Sequence, residues 1–206
     1  MRTALLCLLL ALTSNPGGTP PRRAARQDAR LFAQMSNGDV QATMERFNLA
    51  LGVTCEHCHV NERWLDDSKP PLATARQMVR MVAALNHDAL RDIGEVACWT
   101  CHEGQRQPSR QPRPAMDAEL ARWPTELDAA SEGQKITMSV YNVALGVTCN
   151  HCHTTKWAEV EKPAIKVAIR MNAMFAEFPK YMPAGARTQC WMCHKGTTKP
   201  KLKPPQ

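Results

Sequence analysis

The chain has 206 residues and a formal charge of +7 at pH 7, with 26 Lys and Arg against 19 Asp and Glu. Its 44% hydrophobic and 22% charged content excludes a disordered polyelectrolyte, and its length allows one or two compact units. Aromatic residues make up only 5%, which leaves little large apolar surface from which to build a core.

Residues 1–18 read as a signal peptide: Arg2, a nine-residue apolar run from Ala4 to Leu12, then the turn-rich SNPGG. The run is too short to span a bilayer as a helix. Cys7 lies inside it, and Ala4 to Leu6 lack the small residues that usually precede a lipidated cysteine. Cys7 is therefore expected to leave with the leader, a lipoprotein anchor being the alternative, and the mature chain is expected in the periplasm.

A first helix is predicted from near Asp39 to Ala50, with Gly52 as its left-handed stop. LGVTCEHCH follows at 51–59. A second helix is predicted after Pro70-Pro71, with Met78, Met81, Val82 and Leu85 on one stripe at helical spacing, and CWTCHEG follows at 98–104. Residues 107–130, rich in Pro, Arg and Gln, read as an irregular linker. The series then recurs: a helix toward Ala144 stopping at Gly146, LGVTCNHCH at 145–153, a helix after Pro163 with Met171, Met174, Phe175 and Phe178 on the matching stripe, and CWMCHKG at 190–196. Residues 36–106 and 131–197 are thus two repeats, followed by a basic, Pro-rich tail at 198–206. No strand pattern appears, so the fold class expected is all-α, two pseudo-symmetric repeats of short helices.

Eight of the nine cysteines form four Cys-x-x-Cys pairs, each followed at once by histidine. Histidine is only 7 of 206 residues, so four in those places exclude coincidence and mark c-type haem attachment. Cys55/Cys58, Cys98/Cys101, Cys149/Cys152 and Cys190/Cys193 would each form thioethers to a porphyrin edge. His59, His102, His153 and His194 would be the proximal iron ligands. A zinc site would leave the histidines unexplained, a thioredoxin-like pair needs one motif beside a βαβ unit, and a disulfide scaffold would not pair its cysteines so uniformly. Without Cys7, eight cysteines serve four covalently bound haems and none is spare. Each haem also brings about two propionate carboxylates, so the holo-protein is near neutral and the basic balance does not indicate nucleic acid. The local surplus at Lys195, Lys199, Lys201 and Lys203 reads as a solvated tail or as a contact to anionic lipid or an acidic partner.

Methionine sulfur is a soft distal ligand that raises the haem potential. Met44 and Met138 each lie eleven residues before the first cysteine of a motif, an identity that packing alone explains poorly. One member each of Met78/Met81 and Met171/Met174 is a further candidate.

The run M-x10-C-x-x-C-H with LGV-x-C, the helix M-x-x-M-x-x-x-L-N from Met78 to Asn86, and C-x-T-C-H-x-G together resemble the tetrahaem cytochrome c subunit family of photosynthetic reaction centres. The likeness covers roughly residues 37–104 and 131–196. In that family helix-borne methionines ligate three haems, and a histidine from the other half ligates the fourth. The resemblance implies Met44, Met78 rather than Met81, and Met138 for haems one to three, and makes His87 the candidate for haem four. Repeat symmetry offers Met171 instead, and His87 stands earlier than the family's crossing histidine, so Met171 is the expected ligand and His87 the alternative.

The implied function is a periplasmic carrier of single electrons that re-reduces a photo-oxidised pigment pair. The partners implied are reaction-centre subunits and a soluble electron donor, with peripheral membrane association. A respiratory shuttle free of any photosystem is the nearer alternative. A multihaem reductase, the alternative of another class, would need an open iron beside substrate-binding polar groups.

Overall fold

A computed structural model of the protein describes residue 32, residues 34–183 and residues 185–205; the expected signal peptide and Cys7 lie outside the described residues. The body formed by Ser36 onward is helical, and among the described residues the only β pairing is an isolated bridge between Val60 and Arg63.

Helix α1, Asn37–Leu51, starts where the Ser36 side chain accepts from the Asp39 N–H and ends at Gly52 with φ 63°. The short α2, Cys55–Cys58, is the first haem motif itself. Helix α3, Pro70–Ala84, opens on its two prolines, whose missing N–H groups cost nothing in the first turn, and runs on into a π turn at Leu85–Ala89. The second motif forms α4, Cys98–His102. In the second half, α6 (Glu132–Leu145) starts with a Ser131/Gln134 capping box and ends at Gly146 with φ 64°. A 3₁₀ turn at Cys149–His151, α7 (Pro163–Met174) and α8 (Trp191–His194) complete it. Apart from the third motif, a 3₁₀ turn where the first is an α-turn, the second half retraces the first.

The linker departs from the expected irregularity. It contains α5, Arg113–Leu120, which packs against α6, and a 3₁₀ turn at Thr125–Leu127. Pro112 precedes the helix and Pro114 sits in its first turn, both compatible with a helix start, so proline content misled where proline position did not. Lys195 also departs from the tail reading. It is a helix-end residue with φ 48°, its side chain only 15% exposed and paired to Glu103 at 3.0 Å.

The core is small. Met81, Leu85, Leu90 and Phe178 form its buried centre, with Met78, Met171, Met174 and Phe175 packed around them. This cluster is where the two methionine-bearing helices meet, through contact of α7 with the π turn, assisted by Arg170 donating to the Ala89 carbonyl at 3.4 Å.

Candidate haem-binding sites

Each half clamps its two motifs together through glycine. Gly104 N–H donates to Ala50 C=O at 2.8 Å, and Gly196 N–H donates to Ala144 C=O at the same distance. A Cβ at Gly52 would fall on the Gly104 carbonyl, and one at Gly146 on the Gly196 carbonyl, far inside contact distance. Gly52 and Gly146 are therefore required twice over, for the left-handed helix stop and for this backbone approach. The final glycine of C-x-x-C-H-x-G thereby seats the second motif of a half against the helix that leads into the first.

Two further pairs recur. Asn48 Nδ2 lies 3.3 Å from Cys55 Sγ, and Asn142 Nδ2 lies 3.7 Å from Cys149 Sγ. Lys69 Nζ donates to the Glu56 carbonyl and Lys162 Nζ to the Asn150 carbonyl, tying the start of the second helix to the Cys-x-x-Cys turn. These residues were not singled out from the sequence as site residues. Their signal was present as identical offsets in the two repeats, but only the geometry shows what those offsets connect.

The four histidines meet the requirement for axial ligands in three cases by the same device. Nδ1 of His59 lies 2.8 Å from the Trp64 carbonyl, Nδ1 of His102 2.9 Å from that of Gln105, and Nδ1 of His194 3.0 Å from that of Thr197. A backbone carbonyl can only accept, so each imidazole carries its proton on Nδ1 and leaves the Nε2 lone pair for iron. Burial lowers the pKa of His102 and His194, against the opposing pull of those carbonyls, and favours the neutral ring that binds metal. Among the described residues, the buried Nδ1 of His153 has no hydrogen-bond partner.

Five of the motif thiols are held toward the protonated form by their surroundings. Burial raises Cys58, Cys98, Cys152 and Cys190. The Cys193 sulfur beside Cys101, together with burial, holds the Cys101 thiol well above its ordinary range, and the same proximity lowers Cys193. Around that contact α4 packs on α8, and Lys195 reaches both the Cys101 carbonyl, at 3.3 Å, and the Glu103 carboxylate.

Whether these residues fit haem is clearest at the third motif. Met138, Cys149, Cys152 and His153 line one open cleft, with Trp123 and Trp157 among its walls. Two attaching thiols, a proximal imidazole and a soft sulfur donor in one mainly apolar cleft are the donor set a His/Met c-type haem requires. The linker supplies part of the wall. Trp123 Nε1 donates to the Leu127 carbonyl at 3.2 Å, and Asn142 Nδ2 donates to Glu119 of α5 at 2.8 Å. Met44 holds the corresponding place on α1 and is half-buried. Met78 and Met171 both sit at the core cluster with Met81 and Met174. His87 lies apart from them, its side chain 74% exposed and its Nδ1 2.7 Å from Asp88. His57 is half-buried and His151 exposed, both inside their Cys-x-x-Cys turns.

Among the described residues no helix is long and apolar enough to cross a membrane. A search of curated proteins finds no match to the chain. The family model described as photosynthetic reaction centre cytochrome C subunit matches residues 14–137, which takes in the first repeat, the linker and the start of α6.

Proposed function

Because the chain belongs to the photosynthetic reaction centre cytochrome C subunit family, we propose that it is a tetrahaem electron carrier that re-reduces the photo-oxidised pigment pair of a reaction centre from the periplasmic side. Its family makes it a c-type cytochrome and supports a role as an electron carrier. The haems supply the one-electron chemistry; the residues of the chain attach, space and tune them.

The reading is carried by the way the attachment helices touch. Motif one is clamped to motif two through Gly52 and Gly104, motif two packs on motif four where α4 meets α8, and motif four is clamped to motif three through Gly146 and Gly196. The four attachment sites thus follow one another as a row, one–two–four–three, the arrangement needed to conduct between two ends. Cys55/Cys58, Cys98/Cys101, Cys149/Cys152 and Cys190/Cys193 hold the four haems, with His59, His102, His153 and His194 as proximal ligands. Met44, Met78, Met138 and Met171 would be the distal ligands. Met171 is preferred to His87 for the fourth because it meets Met78 at the core cluster, whereas His87 lies in solvent beside Asp88. Low-temperature electron paramagnetic resonance decides that choice: Met171→Ala should change one centre and His87→Ala none. A bis-histidine signal abolished by His87→Ala would reverse it.

The role itself is tested by flash spectroscopy. The reduced protein is added to membranes containing reaction centres stripped of their cytochrome, and its α-band is followed after a flash. Rapid oxidation coupled to re-reduction of the pigment pair is expected. No oxidation faster than with an unrelated cytochrome c would leave the chain a carrier of some other system.

A further inference from the structure

The repeats differ by one residue immediately after a haem motif, and the difference falls on an axial histidine. Four residues separate His59 from Trp64, whereas three separate His153 from Trp157. In the first half the extra residue is taken up in a tight turn: Arg63 N–H donates to the Val60 carbonyl at 2.9 Å, and Glu62 adopts a left-handed φ of 61°. That turn delivers the Trp64 carbonyl to His59 Nδ1 at 2.8 Å. In the shorter loop the tryptophan ring keeps its place, since the imidazole and indole centroids are 5.7 Å apart in both halves. The carbonyl does not, and among the described residues the buried His153 Nδ1 has no acceptor.

An imidazole that donates Nδ1–H to a carbonyl gains imidazolate character and becomes a stronger donor to iron, which favours the ferric state. An imidazole whose proton is unshared donates less, and the ferrous state gains. We propose that the three-residue loop Thr154–Lys156 is a potential-setting element, which makes the haem of the third motif more oxidising than the haem at the equivalent place in the first. The inference rests on His/Met ligation at these two motifs and adds a ranking that ligation alone does not supply, because both haems would carry the same ligand pair.

Two measurements test it. In the first, Thr154-Thr155-Lys156 is replaced by Val-Asn-Glu-Arg in the full chain, and the four potentials are read by spectroelectrochemistry. The expected result is a downward shift of one potential, the same one that Met138→Ala displaces, with four haems retained. Deleting Glu62 should shift upward the potential that Met44→Ala displaces. A loop exchange that keeps four haems and leaves that potential unchanged, or raises it, overturns the proposal. A Met138→Ala variant that moves no potential would instead sink the ligand assignment. The second measurement needs no variant and decides the matter if the exchanged chain fails to mature. In fully reduced, ¹⁵N-histidine-labelled protein, three axial Nδ1–H signals should show the downfield shift of a hydrogen-bonded proton. The fourth, in contact with Trp157, should lie upfield. Four equivalent signals would refute the proposal.

Discussion

The two halves of the molecule share their haem scaffold and differ in what surrounds it. The glycine clamp, the asparagine at the first thiol and the lysine at the Cys-x-x-Cys turn are present in both. The segment leading into the second motif is not shared. In the first half, Asn86 fastens it from both sides, donating to the Val96 carbonyl at 2.9 Å and accepting from its N–H at 2.8 Å. The place of Asn86 is taken by Pro179 in the second half. On the proposed assignment, attaching and spacing the haems leaves little freedom, while the surroundings of each site are free to diverge.

The common scaffold is the easiest part to break. Gly146→Ala places a methyl on the Gly196 carbonyl in a left-handed backbone, and Gly52→Ala does the same at Gly104. Each should destabilise its half by about 4 kcal/mol or more, in the exceptional range reserved for steric conflict between backbones. Chemical denaturation should show it, and the covalent haem count of the affected half should fall. Equal losses at both glycines would confirm that the halves are equivalent here; a well-tolerated alanine at either would contradict the clamp.

Asn86→Ala probes the part that is not shared. It leaves the Val96 N–H and C=O without their partner in a half-buried site, a loss of about 2 kcal/mol. The disturbance should be confined to the haem of Cys98 and Cys101. Haem-resolved spectra that change equally at the fourth motif would argue against so local a role.

A smaller effect belongs to the seam between the halves. Lys195 and Glu103 are 15% and 30% exposed, so their ion pair is partly screened, and Lys195→Ala should cost about 1 kcal/mol. Raising the salt concentration should narrow the gap between wild type and variant. A loss several times larger would mean that Lys195 supports the Cys101/Cys193 contact by more than charge.

Much of this was legible in the residues because it is written in spacing. The helix stops at Gly52 and Gly146 and the prolines opening α3 and α7 are local signals, and the structure meets them within a few residues. Contacts between motifs were not legible, since nothing in CHEG or CHKG says that its glycine will meet a glycine some fifty residues earlier. Helix α5 was obscured by composition: a Pro- and Arg-rich stretch suggests a loop, although here a proline occupies the first helical turn where it is harmless. Lys195 resembled its neighbours in the tail because charge pattern alone does not reveal a partner 92 residues away. The one-residue difference between the loops at 60–63 and 154–156 was visible, but its meaning depends on where a carbonyl points.

The account stands on four covalent haems, one for each Cys-x-x-Cys-His. Intact-mass spectrometry of the denatured, purified protein counts them directly, because thioether-bound haem survives unfolding whereas coordinated metal does not. The account predicts a single mature species carrying four haems, falling to three when Cys98 and Cys101 are both replaced by alanine. A haem-free chain, or one whose mass returns to that of the bare polypeptide on denaturation, would contradict it.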